Sequence, residues 1–204
     1  MKLIVGFGNP GERYLNNRQN IGFKVLDILA NNENIDIKIK KKKSFIGRGK
    51  VGDTEIVLLK PQTFVNLIGE AVLYIASFVR INVKDIICVL GDISLSFGDL
   101  RVDYIMSSLN HPGIKSMAKA LKSDKFAKVR IGIGMPTGKM DMDAYLLKDF
   151  TDEENIILID VLNRAEDVIR MLLTHDIEKV QNKYNPEGAP KITKRKVKAV
   201  RVRT

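Results

Sequence analysis

Short apolar runs alternate with segments of helical periodicity along this chain, and that alternation limits the possible fold more than any other feature. Residues 2–7, 86–90 and 129–133 are predominantly apolar and have the length that predicts buried strands. Between the first two runs, residues 64–79 carry their apolar side chains on one helical face. Buried strands that alternate with helices predict a single α/β domain, in which helices flank a mixed central sheet.

The remaining segments supply the other elements of that architecture. Residues 45–51 and 55–59 predict the two strands of a hairpin whose turn is Gly52-Asp53. A further strand, at residues 100–104, is expected to pair with a neighbour. Apolar periodicity predicts four more helices, at residues 21–29, 114–121, 153–173 and 177–184. We expect the domain to span residues 1–185.

The end of the chain differs from the domain in composition. Residues 185–190 read Asn-Pro-Glu-Gly-Ala-Pro, and the fourteen residues that follow carry seven lysines or arginines and no acidic residue. We therefore expect residues 186–204 to form a basic, flexible tail. Such a block suits a polyanion, because each phosphate that it neutralises releases counterions. The tail residues expected to contact RNA, or the ribosome, are Lys194, Arg195, Lys196, Arg201 and Arg203.

Charge and composition also limit the class of protein. The formal net charge is +10, and a second basic cluster, Lys38 with residues 40–43, by itself is typical of a solvated loop. The sequence has no run of 18 apolar residues that would predict a membrane span, and its start does not resemble a signal peptide. A single cysteine, Cys88, lies in an apolar run and is expected to be buried. These features predict a cytoplasmic protein, and a monomer is the default.

The pattern Gly6-x-Gly8-x-x-Gly11 follows a predicted strand and formally matches a dinucleotide fingerprint. A dinucleotide turn presents backbone N–H groups to a pyrophosphate and leads directly into a helix. Pro10 removes one of those N–H groups, and the next helix is predicted to begin only near Arg18. We therefore expect no nucleotide cofactor, and no metal site is predicted either.

Longer sequence motifs that include these glycines support another interpretation. Gly6-Phe7-Gly8-Asn9-Pro10-Gly11-x-x-Tyr14 is followed by Asn17-Arg18-Gln19-Asn20-x-Gly22-Phe23, and further blocks occupy residues 58–69, 129–134 and 182–185. In this order, the blocks resemble the bacterial-type peptidyl-tRNA hydrolase family over residues 1 to about 185. The resemblance implies that family's α/β fold. It also implies hydrolysis of the ester that joins a peptide to tRNA.

The resemblance assigns roles to several residues. In the family, a histidine takes the proton of the attacking water, an aspartate orients the histidine, and asparagines position the substrate. Asn9 and Asn66 match two of those asparagines, and Tyr14 belongs to the same substrate-binding block. Gln19 stands at the histidine position, and an amide cannot act as a general base near neutral pH.

Other positions depart from the family pattern as well. Read without gaps, the orienting aspartate falls on Gly91, and Asp92 comes one residue later, a shift that places a strand residue on the opposite face. His111 matches a family position, although Pro112 replaces the asparagine that follows it. Arg130 matches an arginine that helps to clamp a phosphate.

The lysine that completes the family's phosphate clamp is replaced by Asp103. Arg101 is expected on the opposite face of its strand. From that face it cannot replace the missing lysine unless the strand twists. The clamp is therefore expected to be altered together with the catalytic positions.

Three hypotheses follow. The first is a family member that engages tRNA or peptidyl-tRNA while its hydrolysis is weak or absent, which would make it a pseudoenzyme. The second is an active hydrolase with a rearranged site around His111 and Asp92. The third is a non-catalytic adaptor that binds RNA or the ribosome through the basic tail.

Overall fold

A computed structural model describes residues 1–105, 110–136 and 138–185. Four 3-10 helices, at Glu12–Tyr14, Arg18–Asn20, Val65–Leu67 and Val83–Asp85, join the larger elements within these residues. The larger elements are, in chain order, β1 (Lys2–Gly6), α1 (Ile21–Asn32), β2 (Ile39–Lys40), β3 (Ser44–Val51), β4 (Thr54–Pro61), α2 (Ile68–Phe78), β5 (Ile86–Asp92), β6 (Leu100–Asp103), α3 (Pro112–Leu121), β7 (Ala127–Gly132), α4 (Met142–Leu146), α5 (Asp152–Thr174) and α6 (Ile177–Tyr184).

The strands form one mixed sheet in the order β2-β3-β4-β1-β5-β7-β6. β1 is parallel to both β4 and β5, and β5 is parallel to β7. The edges are antiparallel, with β3 against β4 on one side and β6 against β7 on the other. The predicted α/β domain with a mixed central sheet is therefore confirmed.

Both faces of the sheet are covered by helices, which explains why β5 is apolar throughout residues 86–90 rather than alternating. On one face, Leu3 and Val5 of β1 pack with the apolar residues of α2 and α3. On the other, Ile4 packs with residues of α1 and α5. α1 approaches the sheet closely at Gly22, where a Cβ would lie 2.3 Å from the carbonyl oxygen of Val89. Only glycine allows this approach.

Most predicted elements lie where the pattern placed them, and the differences concern helix starts and two short elements. The hairpin around Gly52-Asp53 is present. The helix predicted over residues 64–79 begins as a 3-10 turn and is α-helical only from Ile68. The helix predicted from Ile114 begins at Pro112, because a proline at the first helical position donates no N–H that the helix would need. The pattern did not predict β2 or α4.

The last described residue, Asn185, contacts the edge strand β6. The side chain of Asn185 accepts a hydrogen bond from the backbone N–H of Val102 and donates one to its carbonyl oxygen, at 2.7 and 3.0 Å. The predicted tail, with Lys194, Arg195, Lys196, Arg201 and Arg203, lies outside the described residues. Within the described residues, no helix combines the length and the apolar character needed to cross a membrane.

Candidate active site

Three candidate residues lie at the carboxyl edge of the parallel strands. Asn9 follows β1, Asn66 follows β4, and Asp92 is the last residue of β5. Because β1 is parallel to both β4 and β5, these three chain segments leave the sheet at the same edge. This edge is where open α/β sheets generally bind their ligands.

Asn20 connects the two blocks that carry Asn9 and Asn66. Its buried side chain accepts a hydrogen bond from the Asn9 N–H at 2.7 Å and donates one to the Asn9 carbonyl oxygen at 3.0 Å. The Asn9 side-chain oxygen then accepts the N–H of Val65 at 3.2 Å. Asn66 is the next residue and is exposed. The sequence pattern alone gave Asn20 no role, although Asn20 stands within the motif at residues 17–23.

Gln19 is held between two buried residues, Arg18 and Asn20, in the 3-10 helix that precedes α1. Arg18 donates to the carbonyl oxygens of Lys148 and Asp149 and forms an ion pair with Glu154 at 2.5 Å. The Gln19 side chain is partly exposed and, among the described residues, has no hydrogen-bond partner. The backbone at this position is therefore fixed, and the side chain carries a neutral amide that is available to a ligand.

Asp92 lies on the face of β5 that packs against α3. Leu90 and Cys88, which share its face by the two-residue period of a strand, pack with residues of α3. Gly91 points the other way, and a Cβ there would lie 3.0 Å from Ile21 Cγ2. The ungapped alignment, which assigned the family's aspartate to Gly91, is therefore not supported by the geometry, since Asp92 shares its side of the sheet with α3.

The carboxylate of Asp92 is already engaged. It accepts hydrogen bonds from Arg130 Nε at 2.6 Å and from the Ser94 N–H and hydroxyl at 2.8 and 2.6 Å. Burial alone would raise the pKa of Asp92, but the hydrogen bonds from Ser94 and Arg130 outweigh burial and hold that pKa below its usual value. Asp92 is thus a poor proton acceptor at neutral pH.

Arg130 is shared between two carboxylates. Its second contact is with Asp103, at 2.8 Å from Nη1 to Oδ2, and Arg101 Nε lies 3.5 Å from the other oxygen of Asp103. Arg101 and Arg130 are direct cross-strand partners, so the expectation that Arg101 lies on the opposite face is wrong. Two arginines and two aspartates give this cluster no net formal charge.

The side chain of His111 caps the N-terminus of α3. Its Nδ1 accepts the N–H of Gly113 at 3.1 Å, and its ring lies 5.4 Å from that of Phe7. Burial lowers the pKa of His111 to about 4, with the nearby charge of Asp92 raising it and that of Arg130 lowering it. Since Nδ1 accepts a hydrogen bond, the proton of the neutral ring resides on Nε2. At neutral pH this ring therefore offers a donor and no free lone pair.

Tyr14 lies in the 3-10 helix that follows the glycine turn. It is partly exposed, and the guanidinium of Arg13 lies 4.6 Å from the centre of its ring. Among the described residues, its side chain makes no hydrogen bond to another candidate residue.

The delayed start of α1 after Gly11 agrees with the rejection of the dinucleotide interpretation.

Two other kinds of chemistry find little support. Cys88 is free and buried, as expected, and burial raises the pKa of its thiol to about 12, so it is not a nucleophile near neutral pH. Within the described residues, no three histidine, cysteine, aspartate or glutamate side chains come together to hold a metal ion.

Comparison with known proteins gives one consistent result. A family model described as peptidyl-tRNA hydrolase matches residues 3–195. The peptidyl-tRNA hydrolase of Alkaliphilus oremlandii is 39% identical over 185 residues, which cover 91% of this chain and 100% of the relative. That of Chloroflexus aurantiacus is 37% identical over 187 residues, with 91% and 100% covered.

A solved structure agrees with these relatives. The crystal structure of peptidyl-tRNA hydrolase from Acinetobacter baumannii superposes with a TM-score of 0.84 at 26% identity, and the superposition covers 91% of this chain and 94% of that one. The fold implied by the sequence blocks is therefore confirmed. This chain belongs to the peptidyl-tRNA hydrolase family.

Proposed function

We propose that this protein binds peptidyl-tRNA or tRNA and hydrolyses the peptide ester weakly or not at all. One observation carries the proposal: among the described residues of the site, no candidate base is free to take a proton from water. Gln19 has a neutral amide, the Asp92 carboxylate is bound by Arg130 and Ser94, and His111 uses Nδ1 to cap α3. Hydrolysis by water needs such a base near the operating pH.

Retention of the substrate-binding positions supports the proposal that the protein binds peptidyl-tRNA or tRNA. Asn9 is fixed by Asn20 and by the backbone of Val65, and Asn66 is exposed at the same edge of the sheet. Amide groups of this kind donate and accept hydrogen bonds, and they suit the backbone and carbonyl of a peptidyl ester. The formal net charge of +10 favours a polyanionic partner. A relative named as a peptidyl-tRNA hydrolase matches 91% of this chain.

The active hydrolase rearranged around His111 and Asp92 is the second candidate. One observation favours it, because Asp92 lies on the side of the sheet that carries α3 and its charge acts on His111. The hydrogen bond from Gly113 N–H to His111 Nδ1 counts against it, since the ring must abandon the helix cap before Nδ1 can accept a proton. An adaptor role for Lys194, Arg195, Lys196, Arg201 and Arg203 remains a prediction.

A single-turnover experiment tests the proposal. The full-length protein, in excess, is incubated with an N-acetylaminoacyl-tRNA, and binding and release of the N-acetyl amino acid are measured in the same samples. We expect binding together with release far below ordinary enzyme turnover, which is on the order of 1–10³ per second. Release within that range contradicts the loss of hydrolysis, and absence of binding contradicts the retained recognition of tRNA.

A further inference from the structure

A surface of aromatic and basic residues lies near the sheet edge opposite to Arg130. Tyr74 and Phe78 stand on α2, Lys41 and Lys42 precede β3, and Arg48 lies within β3. β2 and β3 form one edge of the sheet, whereas β7 and β6, which carry the Arg130 cluster, form the other. We refer to Lys41, Lys42, Arg48, Tyr74 and Phe78 as the α2 patch. None of these residues belongs to the candidate active site.

The aromatic part of the α2 patch is exposed and ordered as a pair. Tyr74 and Phe78 keep 39% and 51% of their surface exposed. They are four residues apart on one helix, so their side chains lie on the same face. Their rings are within 4° of parallel, with centres 6.3 Å apart. Two large rings presented together to solvent form a platform on which flat ligands can stack.

The cations of the α2 patch surround these rings. Lys41 Nζ lies 4.2 Å from the centre of the Phe78 ring, Lys42 Nζ lies 5.7 Å from that of Tyr74, and the Arg48 guanidinium lies 5.9 Å from that of Phe78. Within the described part of the chain, none of the three forms an ion pair with a carboxylate. Lys38 is different, because Asp36 lies 2.9 Å from it. The α2 patch therefore presents uncompensated positive charge.

The turn that carries these lysines has an unusual sequence for its backbone conformation. Lys42 and Lys43 have φ angles of 41° and 51°, and the N–H of Lys41 donates to the carbonyl oxygen of Ser44 at 2.9 Å. Two consecutive left-handed residues in a tight hairpin favour asparagine and glycine. Lysine at both positions lowers the stability of the turn. Residues held in such unfavourable backbone conformations cluster at functional sites.

We propose that the α2 patch binds single-stranded RNA, with bases stacked on Tyr74 and Phe78 and phosphates paired with Lys41, Lys42 and Arg48. Aromatic rings provide sequence-tolerant stacking, and neighbouring cations follow the phosphate backbone, which is the usual recognition of unpaired strands. The lysine stems are flexible, so their nitrogens move from the ring faces to the phosphates when bases stack. Unlike a loop of lysines alone, the combination with exposed parallel rings selects nucleic acid over an acidic peptide.

Binding of a fluorescein-labelled oligouridylate of twelve nucleotides, followed by anisotropy over a range of salt concentrations, tests the proposal. The Lys41→Ala, Lys42→Ala double variant is expected to weaken binding and to reduce the slope of log affinity against log salt by about 1.4, since each single-strand phosphate contact contributes roughly 0.7. Lys50→Ala, Lys84→Ala is the matched control, because both lysines are exposed and neither forms an ion pair or ring contact among the described residues. The control is expected to change the slope much less.

The rings are tested separately from the charges. Tyr74→Leu, Phe78→Leu keeps an apolar surface but removes both stacking faces, and is expected to lower affinity by about fivefold or more per lost base contact with an unchanged salt slope. Tyr74→Phe is the conservative control and is expected to bind as the original protein does. A thermal melt verifies that each variant is folded.

The outcomes separate the possible partners. Equal affinity for a double-stranded RNA of the same length, or loss with the lysine variant but none with the leucine variant, overturns base stacking. Equal binding to phosphatidylserine vesicles or to polyglutamate, with the same sensitivity to the variants, assigns the α2 patch to another polyanion and also overturns the proposal. All proteins keep the basic tail, so its contribution is common to them. The probe contains no peptidyl ester and no tRNA fold, so failure here leaves the proposed function untouched.

Discussion

Replacement of Gln19 by histidine is expected to raise the rate at which the protein releases peptide from tRNA. An imidazole at this position supplies a group whose ordinary pKa, about 6.5, lies near neutral pH, whereas an amide has no basic form to use. The change restores the residue type that the family resemblance implies, without altering the neighbouring chain. The expected result is therefore a gain in the rate of hydrolysis rather than a loss.

The structure sets the size of the gain. Gln19 has no hydrogen-bond partner among the described residues, and it lies between the buried residues Arg18 and Asn20, so the substitution breaks no native side-chain hydrogen bond. A positioned general base contributes roughly 10²- to 10⁴-fold, or about 2.7 to 5.4 kcal/mol of the barrier. We expect the lower end, because the Asp92 carboxylate is held by Arg130 at 2.6 Å and is not free to orient the new ring.

The assay is single-turnover release from an N-acetylaminoacyl-tRNA, with Gln19→Asn as the matched control that changes the side chain but adds no base. In the histidine variant the neutral imidazole is the active form, so the rate is expected to fall as the pH drops below the pKa of that ring. An original protein as fast as the variant, or a variant no faster than Gln19→Asn, would refute the reasoning. Rapid release by Gln19→Ala would place the base elsewhere.

Four further outcomes follow from the described contacts. Asp103→Asn frees Arg130 from one carboxylate, and is expected to strengthen tRNA binding and to raise the salt slope by up to about 0.9 if the guanidinium gains one phosphate. Truncation after Asn185 removes the tail but keeps the contact with Val102, and is expected to weaken RNA binding and flatten its salt dependence. Arg18→Met leaves a partly buried carboxylate unpaired, and is expected to lower the free energy of unfolding by about 3 kcal/mol in urea titrations. Because the folded-state pKa of His111 lies below its unfolded value, His111 contributes stability that is complete above about pH 6.5 and is lost as the pH falls toward 4, a change that thermal melts can follow.

Matched controls separate these effects from general damage. Asp53→Asn removes an acid in the hairpin turn, distant in the sheet from Arg130, and is expected to change tRNA affinity only slightly. Lys38→Ala breaks an exposed ion pair and should alter stability by less than about 1 kcal/mol. His111→Asn keeps a residue that can cap α3 without titrating, and should therefore reduce the loss of stability at low pH. An unchanged pH dependence in that variant would assign the effect to other groups.

The sequence was sufficient for the architecture because each central strand and each helix carries its own periodic signal. The hairpin at Gly52-Asp53 and the bounds of α6 follow from local residues alone. The start of α3 was placed two residues late because apolar periodicity ignores a proline at the first helical position. β2 has only two residues and both are exposed, so no apolar pattern could reveal it.

The candidate site was harder to predict, since it depends on contacts between distant segments. The face of Asp92 required knowledge of which side of β5 packs on α3, which an ungapped alignment cannot supply. The position of Arg101 is a different matter, because the two-residue period already places it on the same face as Asp103. The cap formed by His111 Nδ1 involves a backbone N–H, and no pattern of residue types distinguishes it from a histidine that faces a ligand.

Asp92 and Asp103, two of the residues at which the sequence departs from the family pattern, are linked through one guanidinium. Arg130 contacts Asp92 and Asp103 together, at 2.6 and 2.8 Å, so the residue at the lysine position now shares a cation with the candidate orienting acid. A buried carboxylate that loses its cation is destabilised, so Asp92 and Asp103 depend on Arg130 in common. An Arg130 that turns toward a phosphate must weaken at least one of these contacts. Binding of phosphate and the availability of Asp92 are therefore coupled, and changes at residues 92, 103 and 130 are not expected to act additively.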